Sequence, residues 1–229
     1  DGCFSLRNLT IPESVTKLGY YMIRGTTIQS ITIPKNVSTA ASYDGTRYGP
    51  LAGAGYLKTV IFENGLVNIP DNILLGARTV TSVQVPSTVE WIGNNAFTYC
   101  TALSSITMPD SVETIGASAF YGCSKLTEVK WSANIKKISD SAFRGTSLTE
   151  LTLPKTLESL GWNAFMECKE LETVEFTYNS KTGFKLEIGS YAFQKCTSLW
   201  KAGLTENIRE LPSNMFDGCS ALETLEIPE

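Results

Sequence analysis

The sequence repeats the phrase Leu-x-x-Val-x-Ile, and this repetition constrains the fold more than any other feature. Ten copies occur, with variants in which Ile or Val replaces Leu, and they begin at Leu6, Ile28, Leu57, Val80, Leu103, Leu126, Leu148, Leu171, Leu199 and Leu222. A second phrase, Ile-Gly-x-x-Ala-Phe-x-x-Cys, joins one copy to the next. Repetition at a period of about 20 to 50 residues is typical of a solenoid, so we expect successive copies to stack as coils.

The cysteine position of the second phrase measures the period. It is filled by Cys3, Thr26, Ala54, Ala77, Cys100, Cys123, Thr146, Cys168, Cys196 and Cys219, in steps of 22 or 23 residues except for two steps of 28. The longer steps carry extra residues between Val37 and Leu51 and between Phe176 and Ile188. Because a stacked core tolerates no slip, we expect these insertions to loop out on one edge, where solenoids often carry recognition residues.

Each repeat unit predicts the shape of one coil. The alternating Val-x-Ile core predicts a short strand, because successive strand side chains point to opposite faces. Proline often follows, as at Pro109 and Pro154, and it cannot extend the ladder because it lacks an N–H. Glycine, as at Gly116, then supplies a corner before a second extended limb. The Ala-Phe-x-x-Cys segment fits one helical or 3₁₀ turn, with Phe120 and Cys123 three residues apart on one side.

The full unit, Leu-x-x-Val-x-Ile-Pro-x-x-Val-x-x-Ile-Gly-x-x-Ala-Phe-x-Gly-Cys, resembles the BspA-type (treponemal-type) leucine-rich repeat over essentially the whole chain. Ala202-Gly203 and Glu63 depart from it, replacing Val-x and proline respectively. The resemblance implies a right-handed leucine-rich-repeat solenoid of about ten 23-residue units. A parallel β-sheet would lie on its concave face, with short strands and 3₁₀ or helical turns on the convex side. We expect a single solenoid domain over residues 1–229, and a fragment of a longer protein, because both ends cut the repeat mid-phrase.

Composition and residue content exclude several function classes. The net charge is −4 and no basic run is present, which argues against a nucleic-acid partner. No apolar stretch approaches the roughly 18 residues of a membrane span, and this fragment carries no signal peptide. The chain contains no histidine, which removes Ser-His-Asp and Cys-His catalysis and the commonest metal ligand. We therefore expect no enzyme activity, no metal and no cofactor.

The cysteines and one pair of glutamates are the remaining candidates for chemistry. All six cysteines share one slot with Thr and Ala, which is the behaviour of a small buried residue, so we expect free and unreactive thiols. Stacked neighbours such as Cys100 and Cys123 would point in parallel into one core, the wrong mutual direction for a disulfide. Glu128 and Glu150 hold the same slot in adjacent units and should lie about 5 Å apart. On an exposed sheet nothing would raise the pKa of either carboxyl, so we interpret both as solvated surface residues rather than a glycosidase pair.

The x residues of each strand would line the concave sheet if the chain folds as the resemblance implies. They are Ser, Thr, Asn and Gln in the first half of the chain and increasingly Glu and Lys in the second half. Such a gradient favours electrostatic selection of a partner, although polar residues also simply keep an exposed sheet soluble. The predicted binding residues are Thr107, Glu128, Lys130, Glu150 and Glu175 on strands, Trp200 at the edge of the sheet, and Tyr43, Arg47, Tyr48, Tyr178 and Phe184 in the insertions.

The four tryptophans receive different interpretations. Trp200 lies at an exposed first-x position, where it is either a binding hot spot or a cover for the small residues Ala202-Gly203. Trp131 occupies a core Ile slot and is predicted to pack inside. Trp91 and Trp162 adjoin Ile-Gly corners and are predicted to cap the opposite limb.

Three functions remain after these exclusions. The resemblance implies surface or secreted proteins of oral and gut bacteria and some protists, in which such repeats are associated with adhesion to host matrix proteins or other cells. The favoured hypothesis is a monomeric, non-catalytic recognition module that is secreted or on the cell surface and binds a host or bacterial surface protein or glycan. The alternative is a passive spacer in a large surface protein. A catalytic unit is the least favoured, because a stacked solenoid offers a wide surface rather than a catalytic pocket.

Overall fold

The computed structural model describes residues 2–42 and 48–228, and these residues form a parallel β-solenoid. Its strands in chain order are β1 (Lys17–Leu18), β2 (Ser30–Ile33), β3 (Thr39–Ala40), β4 (Thr59–Phe62), β5 (Asn68–Ile69), β6 (Ser82–Gln84), β7 (Trp91–Ile92), β8 (Ser105–Thr107), β9 (Thr114–Ile115), β10 (Glu128–Lys130), β11 (Lys137–Ile138), β12 (Glu150–Leu153), β13 (Ser159–Leu160), β14 (Thr173–Phe176), β15 (Glu187–Ile188), β16 (Lys201–Gly203) and β17 (Thr224–Glu226). The predicted fold class, a leucine-rich-repeat solenoid, is confirmed.

The longer strands of three or four residues form what we call the long sheet, and they come from the Leu-x-x-Val-x-Ile phrases. Its members are β2, β4, β6, β8, β10, β12, β14, β16 and β17. Equivalent residues of successive units pair in register, as Ser30 pairs with Thr59 and Thr59 with Ser82. Burial alternates along the strands, as in β12, because one face packs on the core. The strand prediction is therefore confirmed for nine of the ten phrases.

Two short links coincide with two of the three interruptions of the long sheet in the described chain, while the third, between β6 and β8, follows a link of ordinary length. Two residues separate the cysteine slot from the next phrase in most units, but only one residue does so after Thr26 and Thr146. At both places the described chain lacks the ladder to the preceding coil, since residues 6–11 form no strand and β10 does not pair with β12. One backbone hydrogen bond of 3.1 Å takes its place in each case, from the residue after the threonine to the Leu carbonyl of the preceding phrase.

The second extended limb of each coil forms what we call the short sheet, made of two-residue strands. Strands β5, β7, β9, β11, β13 and β15 form one six-stranded sheet, and β1 pairs with β3. The first insertion lies between these two groups. Glycine corners adjoin this sheet because the coils are too close for a side chain. A Cβ at Gly161 would lie 2.5 Å from the backbone nitrogen of Asp140 in the coil before it.

The predicted helical or 3₁₀ turn over the Ala-Phe segment is wrong, because the described residues contain no helix and this limb is a chain of β-turns. Alternate amides bond within the coil, as from Thr98 N to Asn95 O at 3.2 Å, while those between them reach the next coil, as from Phe97 N to Ala119 O at 2.7 Å. Asn95 adopts a positive φ of 53°, which turns its amide away from its own coil. Apolar residues spaced three apart in sequence are compatible with both a helix and overlapping β-turns, so this spacing does not distinguish the two.

The core is a set of columns in which each residue lies on its equivalent. The clearest column contains Phe97, Phe120, Phe143, Phe165, Phe193 and Phe216, with neighbouring ring centroids 4.9–5.7 Å apart and rings within 19° of parallel. Trp131 joins it with its ring 5.2 Å from that of Phe143, so its predicted packing role is confirmed. These stacked rings are offset aromatic contacts that add to the free energy of area burial.

The cysteine slot is a hydrogen-bonding column as well as a packing position. Its cysteines are free thiols, and all except Cys3 are buried. Each buried thiol donates to a carbonyl of the preceding coil, as from Cys123 Sγ to Phe97 O at 3.1 Å. In the two short links Thr26 and Thr146 donate instead within their own coil. The prediction that all six cysteines are buried is wrong for Cys3, because no described coil lies before it.

Candidate functional site

The outward face of the long sheet, together with the edge residue just before each strand, is what we call the strand face. It carries the six residues predicted to bind along the phrases, five of them on strands and Trp200 at the edge before β16. All six are exposed: Thr107, Glu128, Lys130, Glu150, Glu175 and Trp200. Lys130 of β10 pairs with Thr107 of β8. Glu175 lies next to the coil of Trp200, since β14 pairs with β16. The structure therefore brings these residues onto one face in two groups, on either side of the break between β10 and β12.

The predicted spacing of Glu128 and Glu150 rested on a strand ladder that is not present in the described chain. Glu128 pairs with Ser105 and Glu150 with Thr173, but β10 and β12 do not pair with each other. The short link after Thr146 starts the β12 phrase one residue early, which removes the register that would align the two carboxylates. Both side chains are exposed, as the interpretation of solvated residues requires.

The second half of the strand face concentrates negative charge around one exposed indole. We call this the acidic strand patch, and its members are Glu172, Glu175, Trp200, Lys201, Gly203, Glu223 and Glu226. Trp200 is 43% exposed and lies on the rung between two glutamates. The backbone N–H of Trp200 donates to Glu172 O, and its backbone carbonyl accepts from Glu223 N, both at 3.0 Å. Trp200 therefore has an exposed glutamate in the same position of the coil on each side.

Lys201 is the one cation of this patch, and it is already paired. Its Nζ lies 3.0 Å from Glu226 Oε1. The hydrogen bond to Glu226 and the charges of Glu226 and Glu175 raise the pKa of Lys201. A Cβ at Gly203 would lie 3.5 Å from Glu226 Oε2 and 3.9 Å from Glu175 Cγ, so these side chains border the space above the glycine. With Lys201 paired to Glu226, the carboxylates of Glu172, Glu175 and Glu223 remain to face solvent.

The first insertion places only part of its predicted site within the described chain. Tyr43 and Arg47 lie outside the described residues. Tyr48 is half-buried and its ring centroid lies 5.2 Å from that of Tyr21. Where the chain re-enters the stack, Gly49 N donates to Leu75 O at 2.8 Å. Tyr48 is therefore packed against the solenoid rather than presented on a loop tip.

The second insertion is held by a pair of asparagines that sequence reasoning did not identify. Asn179 N donates to Oδ1 of buried Asn207 at 2.7 Å, and Asn207 Nδ2 donates back to Asn179 O at 2.9 Å. Asn179 Nδ2 also donates to Lys155 O at 2.6 Å. Tyr178 beside this clamp is 52% exposed, whereas Phe184 is half-buried. The clamp gives Tyr178 a fixed position, so of the inserted aromatics within the described chain it is the most available to a partner.

A groove runs along the outside of the short sheet, where no binding residue was predicted. We call it the short-sheet groove. Two adjoining volumes of about 470 and 480 Å³ share Trp162, Glu187, Ile188 and Gly189. Trp162 lies against Gly189 of the next coil but is 59% exposed, so it covers this limb only in part. Its slot after the corner glycine holds Asn94 and Asp140 in other coils, and an aromatic in a polar slot is the signal that could have identified it.

Two of the buried thiols have raised pKa values, and the described residues hold no cluster suited to a metal ion. Burial raises the pKa of the Cys123 thiol to about 12 and that of Cys100 well above its ordinary value, so neither is a thiolate at neutral pH. Across residues 2–42 and 48–228, no group of three or more Cys, Asp or Glu side chains converges to hold a metal ion. Within the same ranges, no helix has the length and apolar character to cross a membrane.

Comparison with known families identifies the repeat. The model of the BspA type leucine-rich repeat region matches six copies, over residues 1–44, 51–172 and 136–229. The chain belongs to the BspA-type leucine-rich repeat family. No curated protein matches the chain. As a family member it shares the repeat that the sequence resemblance indicated, and the family is one of leucine-rich repeat proteins rather than known enzymes.

Solved structures from three bacteria share the fold. A leucine-rich cell surface protein from Faecalibacterium prausnitzii is 23% identical with a TM-score of 0.60, and the match covers 94% of this chain and 71% of that one. A leucine-rich repeat protein from Eubacterium ventriosum is 21% identical with a TM-score of 0.56, covering 100% and 69%. The Treponema pallidum leucine-rich repeat protein is 21% identical with a TM-score of 0.54, covering 84% and 77%. At these identities the likeness shows the fold alone.

Proposed function

We propose that this BspA-type chain is a non-catalytic recognition module of a bacterial surface or secreted protein, and that it binds a partner protein across the strand face. The acidic strand patch around Trp200 is the observation that carries the proposal. Membership of the family supports it, as does the likeness to a Faecalibacterium prausnitzii protein described as a leucine-rich cell surface protein. The strand face is rigid because every coil is stacked on its neighbours, so little order is lost on binding.

The chemistry of the patch favours a basic segment on the partner. Four glutamates and one lysine share it, and the lysine is neutralised by Glu226. An excess of carboxylates on one face attracts a basic partner and speeds its association at low ionic strength. Trp200 offers a large apolar surface in the middle of that charge, and tryptophan is one of the residues that most often dominate binding energy. The basic segment would therefore lie over the indole.

The direct test is the replacement Trp200→Ala. The wild-type chain is tested on an array of purified host matrix proteins and bacterial surface proteins, and the dissociation constant of the strongest binder is measured by surface plasmon resonance. We expect Trp200→Ala to weaken binding roughly five- to thirtyfold, since loss of a hot spot costs at least about 1–2 kcal/mol. Trp91→Ala, which removes an exposed indole from the short sheet, is the matched control and should bind as the wild type does.

Two results would contradict the proposal. If no protein on the array binds, the alternative of a passive spacer is favoured over a recognition module. If Trp200→Ala binds as tightly as the wild type, the recognition surface lies elsewhere.

Raising the salt concentration from about 50 to 500 mM should weaken the wild-type complex, because the attraction between exposed charges is screened.

A further inference from the structure

The short-sheet groove is a second surface with the features of a binding site, and it is separate from the strand face. It extends from Ala117 to Ser213, with the corner residues of five successive coils along it. Coils spaced by about 4.8 Å give it a length of about 19 Å. This is long enough for an extended chain.

The indole in the middle of this groove is held in place from both sides. Trp162 N donates to Asp140 Oδ1 at 2.9 Å, which fixes its backbone against the preceding coil. In the following coil, a Cβ at Gly189 would lie 2.5 Å from Trp162 Cδ1, so the indole fits only because residue 189 is glycine. The ring remains 59% exposed. It is therefore a fixed, flat apolar surface open to solvent.

Polar groups around the indole are not paired with one another. Within the described chain, the Ser139 and Ser159 hydroxyls, the Asp140 Oδ2 and the Glu187 carboxylate make no hydrogen bond or ion pair to protein. Elsewhere on this side of the solenoid such groups satisfy each other, as where Lys136 Nζ lies 2.8 Å from a Glu113 oxygen. The groove thus presents donors and acceptors to an incoming ligand.

The charges that line the groove balance. The lining contains three carboxylates and three cations. The carboxylates are those of Asp140, Glu187 and Glu210, and the cations are those of Lys137, Lys185 and Arg209. A balanced lining attracts neither an acidic nor a basic ligand over distance. A ligand suited to an exposed indole among unpaired polar groups has a flat apolar face and many hydroxyls at its edge. A pyranose ring has both, and a polysaccharide repeats them along an extended chain.

We propose that the short-sheet groove binds a neutral polysaccharide, with one pyranose ring stacked on Trp162 and its hydroxyls bonded to the flanking side chains. Ser139, Ser159 and Glu187 provide those partners. This site does not depend on the acidic strand patch, which attracts a basic protein on the other sheet. The two proposals therefore succeed or fail separately.

The test uses defined neutral sugars. The chain is titrated with hexasaccharides of glucose in α-1,4, β-1,3 and β-1,4 linkage, and with mannose and galactose hexasaccharides, and binding is followed by calorimetry and by tryptophan fluorescence. We expect at least one to bind, with an affinity that is unchanged between about 50 and 500 mM salt because the ligand is neutral. Trp162→Ala should weaken that affinity roughly five- to thirtyfold.

Two variants make the result specific. Trp91→Ala removes an exposed tryptophan from the same sheet but outside the groove, and it should bind sugar as the wild type does. Gly189→Val keeps the indole but places a Cβ 2.5 Å from both Trp162 Cδ1 and Trp162 N, so it should weaken binding as Trp162→Ala does and also lower the melting temperature. The proposal is overturned if no hexasaccharide binds, or if Trp162→Ala binds sugar as tightly as the wild type does. It is also overturned if the groove binds a charged peptide and no sugar.

Discussion

At the scale of single residues, the phenylalanine column shows how one residue repeated in each coil stabilises the fold. Phe120 is fully buried between the rings of Phe97 and Phe143, with centroids 4.9 Å away on either side. Its removal would leave a cavity and break the column at two contacts. Lys125 in the same coil is exposed and makes no contact of this kind in the described chain.

We therefore expect Phe120→Ala to lower the free energy of unfolding by about 3–5 kcal/mol. Lys125→Ala should change it by less than about 0.5 kcal/mol. Urea unfolding followed by circular dichroism measures both. Equal losses in the two variants would mean that the inward face of the coil has been wrongly assigned.

Residue patterns also mark the limit of what the sequence could predict about the site. The strand-face residues were found because exposed x positions alternate with buried letters, and Glu128, Lys130 and Trp200 are exposed as that pattern requires. Trp162 was predicted to cap the limb because the repeat pattern does not predict what fraction of an indole the neighbouring coils leave exposed. That exposure depends on Gly189 one coil later, which is a contact in space rather than in sequence.

At the scale of elements, the strands follow from the sequence and the turns do not. Alternating apolar residues predicted the strands of the long sheet, because a strand places every second side chain on the same face. The Ala-Phe segment was wrongly predicted as helical because its hydrogen bonds run to the next coil, as from Tyr99 N to Tyr121 O at 2.8 Å. Those partners lie one repeat away, and local spacing carries no trace of them. The break between β10 and β12, by contrast, is visible in the sequence as the missing residue after Thr146.

Restoring that residue should repair the long sheet. We expect insertion of one serine between Thr146 and Ser147 to let β12 pair with β10, because the phrase then starts at the usual distance from its slot. Hydrogen exchange of the β12 amides should become slower than in the wild type. The same insertion after Cys168, where the link already has two residues, is the control and should make exchange in β14 faster. Unchanged or faster exchange in β12 would show that link length does not cause the break.

At the scale of the whole molecule, the solenoid separates two surfaces of different chemistry. The long sheet carries an acidic patch with Trp200, and the short sheet carries a charge-balanced groove with Trp162. The buried columns hold the two faces in a fixed relation, because each coil contacts its neighbours along its whole length. If both proposals hold, the chain binds a protein and a polysaccharide at once without either site changing shape.

The most direct measurement of the central claim is the hydrogen-exchange footprint of the bound protein partner. We predict that binding slows exchange in β14, β16 and β17 and at the residue before each, where the acidic strand patch lies. Exchange in β7, β9 and β11 of the short sheet should be unchanged. Protection confined to the short sheet, or spread evenly over all coils, would contradict the assignment of the strand face as the recognition surface.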